Sequence, residues 1–239
     1  MKGSFMAVPP QPVREPGTRA PRPKDAATLI IYRVKKNDVE VLMGQRHHKH
    51  KFLPQRYVFP GGRVDPQDSR VRTATPLRSD VQELLTRKAT PARARALAAA
   101  AIRETYEEAG LIIGKPDKEP QRSVPRNWRT FFDQGVAPSF ENLNYVARAV
   151  TPSWRPIRFN ARFFMIDDRF VDGELGGDGE LLDLIYVPVS DTKSLELPLI
   201  TTRVLELVEN LARNPPPPNK KRTITNFVHN GKFHDMFDE

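Results

Sequence analysis

The alternation of hydrophobic and polar residues predicts strands near the start of the chain and again in its second half. These strands are expected at residues 28–34, 39–43, 143–150 and 158–166. In the last of them, the alternation places Phe163 on one face and Arg162 on the other. The polar face that contains Arg162 fits either a phosphate-binding surface or an ordinary polar face of a sheet.

Helical segments are predicted between the two groups of strands. Ser79 and Asp80 are typical capping residues for a helix that reaches about residue 88. The pair Thr90-Pro91 predicts the start of a second helix. This second helix is expected to pass through an alanine-rich run and to end at Gly110, which suits a left-handed terminal residue.

The last third of the chain predicts two more helices and a hairpin. Residues 126–134 form an amphipathic pattern whose large apolar side chains are expected in the core. A helix capped by Thr201 or Thr202 is predicted to reach about residue 213. Beyond it, the alternation around Asn230-Gly231 predicts a β-hairpin.

Composition divides the chain into a proline-rich, disordered tail at 1–25, one domain at 26–213 and a C-terminal extension at 214–239 that carries the hairpin. There is no cysteine, which excludes disulfides, thiolate catalysis and cysteine-ligated metal sites. No segment approaches the roughly 18 consecutive apolar residues of a membrane span. The tail lacks the apolar core of a secretory signal. We therefore expect a soluble, cytoplasmic protein with no membrane partner.

The formal net charge of +9 is unevenly distributed. Residues 46–63 and 69–101 are rich in lysine and arginine and poor in acids, which favours an anionic ligand such as a phosphorylated metabolite or a nucleic acid. The first of these segments also contains His47, His48 and His50. A solvated loop is favoured there over a metal site, because no cluster of partner ligands lies nearby.

Three carboxylates share one face of the second predicted helix, at Glu104, Glu107 and Glu108. Like charges at this spacing raise each other's pKa unless a cation lies among them. A hard divalent cation is the usual partner of such oxygens, and magnesium is the default when the substrate supplies phosphates. Taken alone, the pattern favours a solvated helix face over a metal site.

The segment upstream of this helix favours the metal site. A β-rich run at 57–59 breaks at Gly61-Gly62 and leads into an acidic turn. Together with the sequence RETYEEAG at 103–110, it resembles the Nudix box, which begins here at Gly62. Asp68 stands where the family has a glutamate, and the whole segment 69–102 separates Asp68 from Arg103 where the family has a spacer of only seven.

The long spacer resembles a branch of the Nudix hydrolases, including the peroxisomal CoA diphosphatase, whose box is split by an insertion. Residues 52–62 and 158–164 are similar to the same branch, although Thr105 replaces an aliphatic residue of the box. The likeness covers roughly residues 26–213. It implies an α/β fold, the Nudix α/β/α sandwich with a mixed central sheet, and a helical insertion at 69–101. We leave open whether the insertion is a lid, a dimer surface or a substrate wall.

The resemblance also implies which residues form the site. The metal ligands would be Glu104, Glu107, Glu108 and a loop acid, for which Glu180 is favoured over Glu174. The general base would be Glu104 or Glu180, and Arg103 would hold the joint between loop and helix. The substrate contacts would come from Gly61, Gly62, Arg46, Arg63 and Arg162. Supporting roles would fall to Asp65 and Asp68.

The implied function is that of a pyrophosphohydrolase acting on a nucleoside diphosphate linked to another group, with Mg²⁺ as cofactor or Mn²⁺ in its place. CoA or acyl-CoA is the leading substrate, and NADH, ADP-ribose and nucleotide sugars are close alternatives. An RNA-directed enzyme and a non-catalytic nucleotide-binding protein also remain open. A nucleic-acid partner is not favoured, because the aromatic residues do not interleave with basic ones. Many proteins of the family dimerise, so a homodimer is left open.

Overall fold

The structure, a computed structural model, describes residues 13–15, 17–36, 38–48, 54–117, 119, 124–218, 222–229 and 234–238. The strands are β1 Lys24–Val34, β2 Val39–Arg46, β3 Tyr57–Val58, β4 Gly61–Arg63, β5 Leu111–Ile112, β6 Gly114–Pro116, β7 Val136–Pro138, β8 Asn144–Val150, β9 Phe159–Asp167, β10 Asp172–Gly173, β11 Leu181–Pro188, β12 Thr225–His229 and β13 His234–Asp238. The α-helices are α1 Ser79–Thr86, α2 Pro91–Ala109, α3 Arg129–Phe132 and α4 Leu199–Arg213. Short 3₁₀ helices occur at Pro66–Ser69, Arg126–Trp128, Asp168–Phe170 and Val189–Ser194.

The main sheet is mixed and has the order β11-β2-β1-β9-β8-β12-β13, with β3 beside β2 and β4 beside β1. The pairs β1–β9 and β8–β12 are parallel, whereas the remaining pairs of this sheet are antiparallel. On one side, β1 pairs with β9 over most of its length. On the other side, it pairs with β4 in its first half and with β2 in its second. This arrangement leaves β4 as a short edge beside the middle of the sheet.

Two apolar layers cover the two faces of the sheet. One contains Leu29 and Phe164 together with the apolar faces of α1 and α2. The other contains Ile30 and Phe163 together with the apolar face of α4. Successive residues of β1 and β9 therefore enter opposite layers, as the period of two in a strand requires. The structure confirms the predicted α/β/α sandwich with a mixed central sheet.

The helix α2 begins and ends where the sequence predicts. Thr90 is the N-cap, its side-chain oxygen accepts a hydrogen bond from the Arg93 N–H, and Pro91 occupies the first turn. The alanine run inside the helix is fully buried and allows close packing on the sheet. Gly110 ends the helix with φ 71°, a left-handed conformation that glycine adopts at little cost.

Several predicted boundaries are wrong by a few residues. Strand β1 begins at Lys24, inside the segment predicted as a tail, of which 1–12 lies outside the described part of the chain. Ser79 is already the first residue of α1, and the helix lacks a side-chain cap. The helix α4 likewise begins at Leu199, before Thr201, because Pro198 already fits the turn that precedes a helix.

The remaining segments follow the predicted pattern more closely. The stretch 126–134 is a 3₁₀ turn followed by the single turn α3, and its large apolar side chains are buried as expected. The segment 69–101 contains α1 and the first half of α2. The C-terminal strands β12 and β13 form the antiparallel pair expected of a hairpin, with the turn at 230–233 outside the described residues. Within the described ranges, no helix is long and apolar enough to cross a membrane.

Candidate functional site

A cleft of about 1700 Å³ opens on the α4 face of the main sheet and extends around β4 to the start of α2. Its floor includes residues of β1 and β9 that point away from α2, among them Thr28 and Phe163. The first turn of α4 forms one wall, and Thr90 at the start of α2 lies at the other end. The predicted site residues can therefore be placed by their position relative to this cleft.

The Gly61-Gly62 turn joins the edge of the sheet to the glutamates of α2. The Gly61 N–H donates a hydrogen bond of 2.7 Å to Glu108 Oε2. Gly61 has φ 153°, and a β-carbon there would lie 2.6 Å from the Ala27 carbonyl oxygen, so no other residue fits without a shift. The backbone of Gly62 lies directly against the carboxylate of Glu104. Both glycines thus permit the close approach of β4 and α2 that forms the site.

The Arg103 side chain holds the acidic residues in place. Its Nε and Nη2 donate to the two oxygens of Asp68, at 2.9 and 3.1 Å, and Nη2 also donates to the Arg63 carbonyl oxygen at 3.0 Å. Its Nη1 lies 2.8 Å from Glu104 Oε1 and 2.8 Å from Glu107 Oε2. Burial alone would lower the pKa of Arg103, but the three carboxylates outweigh burial and raise it. Arg103 therefore remains charged.

Asp68 is the buried carboxylate that connects Arg103 to the residues around it. It is fully buried, and its Oδ1 accepts a further hydrogen bond of 3.0 Å from the indole Nε1 of Trp128. Asp65 caps the 3₁₀ helix by accepting from the Gln67 N–H, and Asp68 Oδ2 accepts from the Asp65 N–H. The supporting roles expected for Asp65 and Asp68 agree with these contacts. The part played by Trp128 was not predicted, because its apolar bulk gives no signal of a polar contact with a residue so distant along the chain.

Burial strongly affects the two inner glutamates of α2. Burial and the charge of Glu107 raise the pKa of Glu104 to about 7, despite the neighbouring Arg103. Burial raises the pKa of Glu108 to about 8, against the charge of Arg46 and the Gly61 N–H. Glu107 is more exposed, and its pKa is raised mainly by burial. A cation placed beside these groups would favour their charged form.

The glycine-rich loop 172–180 brings Glu180 to the same end of the cleft. The loop packs against the end of α2, where the Gly176 and Asp178 N–H groups donate to the carbonyl oxygens of Ala109 and Glu107. These bonds satisfy carbonyls that every helix end leaves open. Glu180 then lines the cleft, with its Oε1 3.5 Å from Arg46 Nη1. Glu174, the second choice from sequence, is exposed and lies beside Gly110.

The predicted metal ligands are only partly assembled in this geometry. Within the described residues, no group of three or more His, Cys, Asp or Glu side chains is placed around one point. Arg103 binds Glu104 and Glu107, which keeps their oxygens turned toward its guanidinium. Glu108 Oε1, however, is buried and has no hydrogen-bond partner among the described residues. This free oxygen, in a carboxylate on which the charges of Glu104 and Glu180 act, suits a hard divalent cation. The residues fit such an ion.

The structure separates Arg162 from the other predicted substrate contacts. Gly61, Gly62, Arg46 and Arg63 line the cleft, but Arg162 does not. Arg162 is 1% exposed on the opposite face of β9, where Nη1 lies 3.3 Å from Asp25 Oδ1 and donates to the Asn160 carbonyl oxygen. The prediction that Arg162 binds phosphate is therefore wrong. The alternation of β9 was interpreted correctly, but the cleft lies on the other face.

The predicted histidine loop shows no metal site in its described part. The rings of His47 and His48 lie 4.1 Å apart between centroids, and His50 lies outside the described residues. The expected solvated loop is consistent with the exposure of His48.

Comparison with solved structures identifies the fold. No protein-family model matches the sequence, and no curated protein does. The structure is similar to the crystal structure of a Nudix hydrolase from Alicyclobacillus acidocaldarius, with 27% identity, a TM-score of 0.63, and coverage of 79% of this chain and 92% of that chain. A MutT Nudix hydrolase from Burkholderia pseudomallei is 16% identical, with a TM-score of 0.46, over 79% of this chain and 99% of that chain. The second likeness is too weak to add to the argument.

The fold is thus that of the Nudix hydrolases. The Alicyclobacillus neighbour supports the Nudix family for this chain and, with it, an enzyme of the pyrophosphohydrolase class. The neighbour supports the family and does not bear on the insertion or on the roles of the individual glutamates.

Proposed function

We propose that this protein is a metal-dependent hydrolase that cleaves the pyrophosphate bond of a nucleoside diphosphate linked to another group, with CoA or acyl-CoA as the leading substrate. The proposal rests on one observation, the contact between the Gly61-Gly62 turn and the glutamates of α2, which is called the joint below. There Glu104 meets the turn at the cleft wall, Glu108 accepts from the Gly61 N–H, and Glu180 of the loop lines the same cleft as Glu104. Such a group of carboxylates beside a large cleft is suited to an ion that binds phosphates.

Each residue of the joint has a separate task in this proposal. Glu104, Glu107, Glu108 and Glu180 would hold the divalent cation. When bound, the cation neutralises the charge of the pyrophosphate and activates water for attack on phosphorus. Arg103 binds Asp68 and Glu107, so it fixes the positions of the acidic side chains in the site. Glu104 or Glu180, both of which line the cleft, would accept the proton of the attacking water.

CoA is favoured as the substrate by three features. The long spacer 69–102 between Asp68 and Arg103 resembles the branch of the family that includes the peroxisomal CoA diphosphatase. The cleft, at about 1700 Å³, exceeds the roughly 300–1,000 Å³ of an ordinary small-molecule site and has room for a long dinucleotide-like substrate. Basic residues on its walls, including Arg46 and Arg63, favour a substrate with several negative charges.

The decisive experiment measures product release by the purified protein with magnesium or manganese. The substrates are CoA, an acyl-CoA, NADH, ADP-ribose, a nucleotide sugar and capped RNA. We expect CoA to be preferred. The variant Glu107→Gln should lose at least roughly a thousandfold in turnover, because it removes a predicted ligand charge while Arg103 keeps an acceptor. Glu83→Gln is the matched control, since Glu83 is exposed on α1 and does not line the cleft.

Three results would overturn parts of the proposal. Preferred turnover of another substrate, lost in Glu107→Gln, would reassign the substrate but keep the site. Equal activity of wild type and Glu107→Gln would contradict the site. Absence of turnover with both metals would contradict the hydrolase itself.

A further inference from the structure

Two basic side chains lie on the cleft face of the sheet beyond the glutamates. In the antiparallel pair of β4 and β1, Arg63 lies opposite Ala26. Lys24 is two residues from Ala26 along β1, so it projects from the same face. Lys24, Ala26 and Arg63 all line the cleft, and both basic residues are exposed. The strand register, rather than a flexible loop, sets their positions.

The acid between them in the chain also lines the cleft, but its oxygens are bound by other residues. Asp25 projects to the opposite face of β1, where it is 8% exposed and binds Arg93, Asn160 and Arg162. Because these contacts occupy its oxygens, Asp25 does not pair with Lys24. The alternation of the strand thus places the carboxylate of Asp25 and the side chain of Lys24 on opposite faces of β1.

Neither of these two charges forms an ion pair within the described part of the chain. The ion pairs between described residues include neither Lys24 nor Arg63. On the neighbouring strand, the residues beside Lys24 and Ala26 are Phe159 and Ala161, which are uncharged. Two cations held on one wall of a cleft, neither of them in an ion pair with a described acid, favour an anionic group of a ligand.

The distance between Lys24 and the glutamates indicates which anionic group of the ligand Lys24 can reach. Gly61, which binds Glu108, lies opposite Thr28, four residues from Lys24 along β1. At a rise of about 3.3 Å per residue, Lys24 is roughly 13 Å along β1 from Thr28, the residue that marks the position of the glutamates. A lysine side chain at that distance reaches a group separate from the phosphates bound at the glutamates. Arg63 lies between these two positions, next to Gly62.

We infer that Lys24 and Arg63 form a second anion-binding subsite, which binds a phosphate monoester of the substrate distinct from the diphosphate that is cleaved. The inference rests on the proposed function and narrows its substrate class to nucleotides that carry an additional phosphate. It also gives β1 a direct part in substrate recognition, because the strand contributes Lys24 from the segment just before the resemblance to the family begins.

The first test measures binding without hydrolysis. Adenosine 5′-monophosphate and its 3′,5′- and 2′,5′-bisphosphate counterparts lack a pyrophosphate bond, so calorimetry can use the active protein at fixed ionic strength. We expect one of the bisphosphates to bind at least roughly tenfold more tightly than the monophosphate, which corresponds to one charge-assisted contact. In Lys24→Met the ratio should fall close to one, and in Arg63→Met it should fall in part.

Lys36→Met is the matched control. Lys36 is exposed beyond the end of β1, does not line the cleft, and loses the same charge. A bisphosphate preference that is absent in the wild type, or that is unchanged in Lys24→Met, would overturn the inference. A loss of the preference in Lys36→Met as well would also overturn it, because it would show a general effect of net charge.

The second test compares turnover of paired substrates that differ by one phosphate, CoA against dephospho-CoA and NADPH against NADH. The ratio of kcat/KM within the preferred pair should favour the phosphorylated member at least roughly tenfold and should fall in Lys24→Met through KM, with kcat retained. Equal ratios in the wild type and Lys24→Met would contradict the subsite while leaving the hydrolase intact. Absence of any turnover would contradict the proposed function, and the binding test would still decide the subsite.

Discussion

The backbone of Gly62 lies so close to the carboxylate of Glu104 that a β-carbon on Gly62 would fall 2.3 Å from Glu104 Oε2. The contact joins the edge strand β4 to α2, two elements that are far apart along the chain. It means that the position of the Glu104 carboxylate depends on the absence of a side chain at residue 62.

The first prediction follows from this contact. In Gly62→Ala, the new methyl group would displace the Glu104 carboxylate, and a shift of about 1 Å in a catalytic group costs on the order of a hundredfold in rate. We expect kcat/KM to fall by roughly that factor while the circular dichroism spectrum and the melting temperature change little. Gly176→Ala is the control, because a β-carbon at Gly176 meets its nearest atom at 3.9 Å. Full activity in Gly62→Ala would contradict the role of Glu104.

The second prediction concerns Glu108, whose burial makes its charge costly without a cation. The neutral isostere Glu108→Gln keeps an acceptor for the Gly61 N–H but removes the charge. We therefore expect the metal-free variant to melt at or above the wild-type temperature. Addition of magnesium or manganese should raise the wild-type melting temperature, as a ligand of the folded state does, and should not raise that of the variant. An equal metal-induced shift in both proteins would exclude Glu108 as a ligand.

The third prediction concerns the ion pair between Arg103 and Asp68, both of which are buried. Arg103→Met leaves the charge of Asp68 buried and unpaired, apart from the hydrogen bonds from Trp128 and the Asp65 N–H. We expect the free energy of unfolding in urea to fall by about 3–5 kcal/mol. The double variant Asp68→Asn with Arg103→Met should recover part of this loss. A loss of less than about 1 kcal/mol would show that the ion pair does not stabilise the contact between the segment at Asp68 and α2.

The fourth prediction is a dependence of stability on pH. Burial raises the pKa of Asp80, but the hydrogen bonds and charge of Arg78 outweigh burial and hold that pKa below its usual value. A lowered pKa contributes stability above the unfolded value of about 3.9, and this stability is lost as the pH falls through the folded value. Asp80→Asn should therefore be less stable than the wild type by about 1–3 kcal/mol at pH 7.

This difference should shrink as the pH falls below about 4, because the wild-type carboxylate then becomes protonated. Urea denaturation of both proteins between neutral pH and about pH 3 measures it. A difference that stays constant over this range would mean that the charge of Asp80 is not what stabilises the contact.

Local patterns allowed much of the fold to be predicted. Thr90 and Pro91 predicted the start of α2, and Gly110 predicted its end, because capping depends on residues next to the boundary. The alternation in β9 correctly assigned Phe163 and Arg162 to opposite faces. The predicted boundaries were wrong where a capping side chain was expected and the helix starts without one. At α4, Pro198 rather than a threonine precedes the helix.

The site could be predicted only as far as its motif extends. The glutamates of α2 and the Gly61-Gly62 turn follow from the box, but the face on which the cleft lies does not. Arg162 was therefore assigned to the substrate although it binds Asp25 in the core. The bond from Trp128 to Asp68 likewise depends on tertiary packing, which no periodicity reports.

The contact between Asp68 and Arg103 has a consequence for how the chain can vary. The ion pair closes a loop that contains the whole segment 69–102, and the entropy of closing a loop grows only with the logarithm of its length. Relative to the spacing of seven in the Nudix box, the longer loop costs about 1.4 kcal/mol of chain entropy. One well-packed helix inside the loop can offset that amount. The two segments that resemble the box can therefore be far apart along the chain while Asp68 and Arg103 stay in contact.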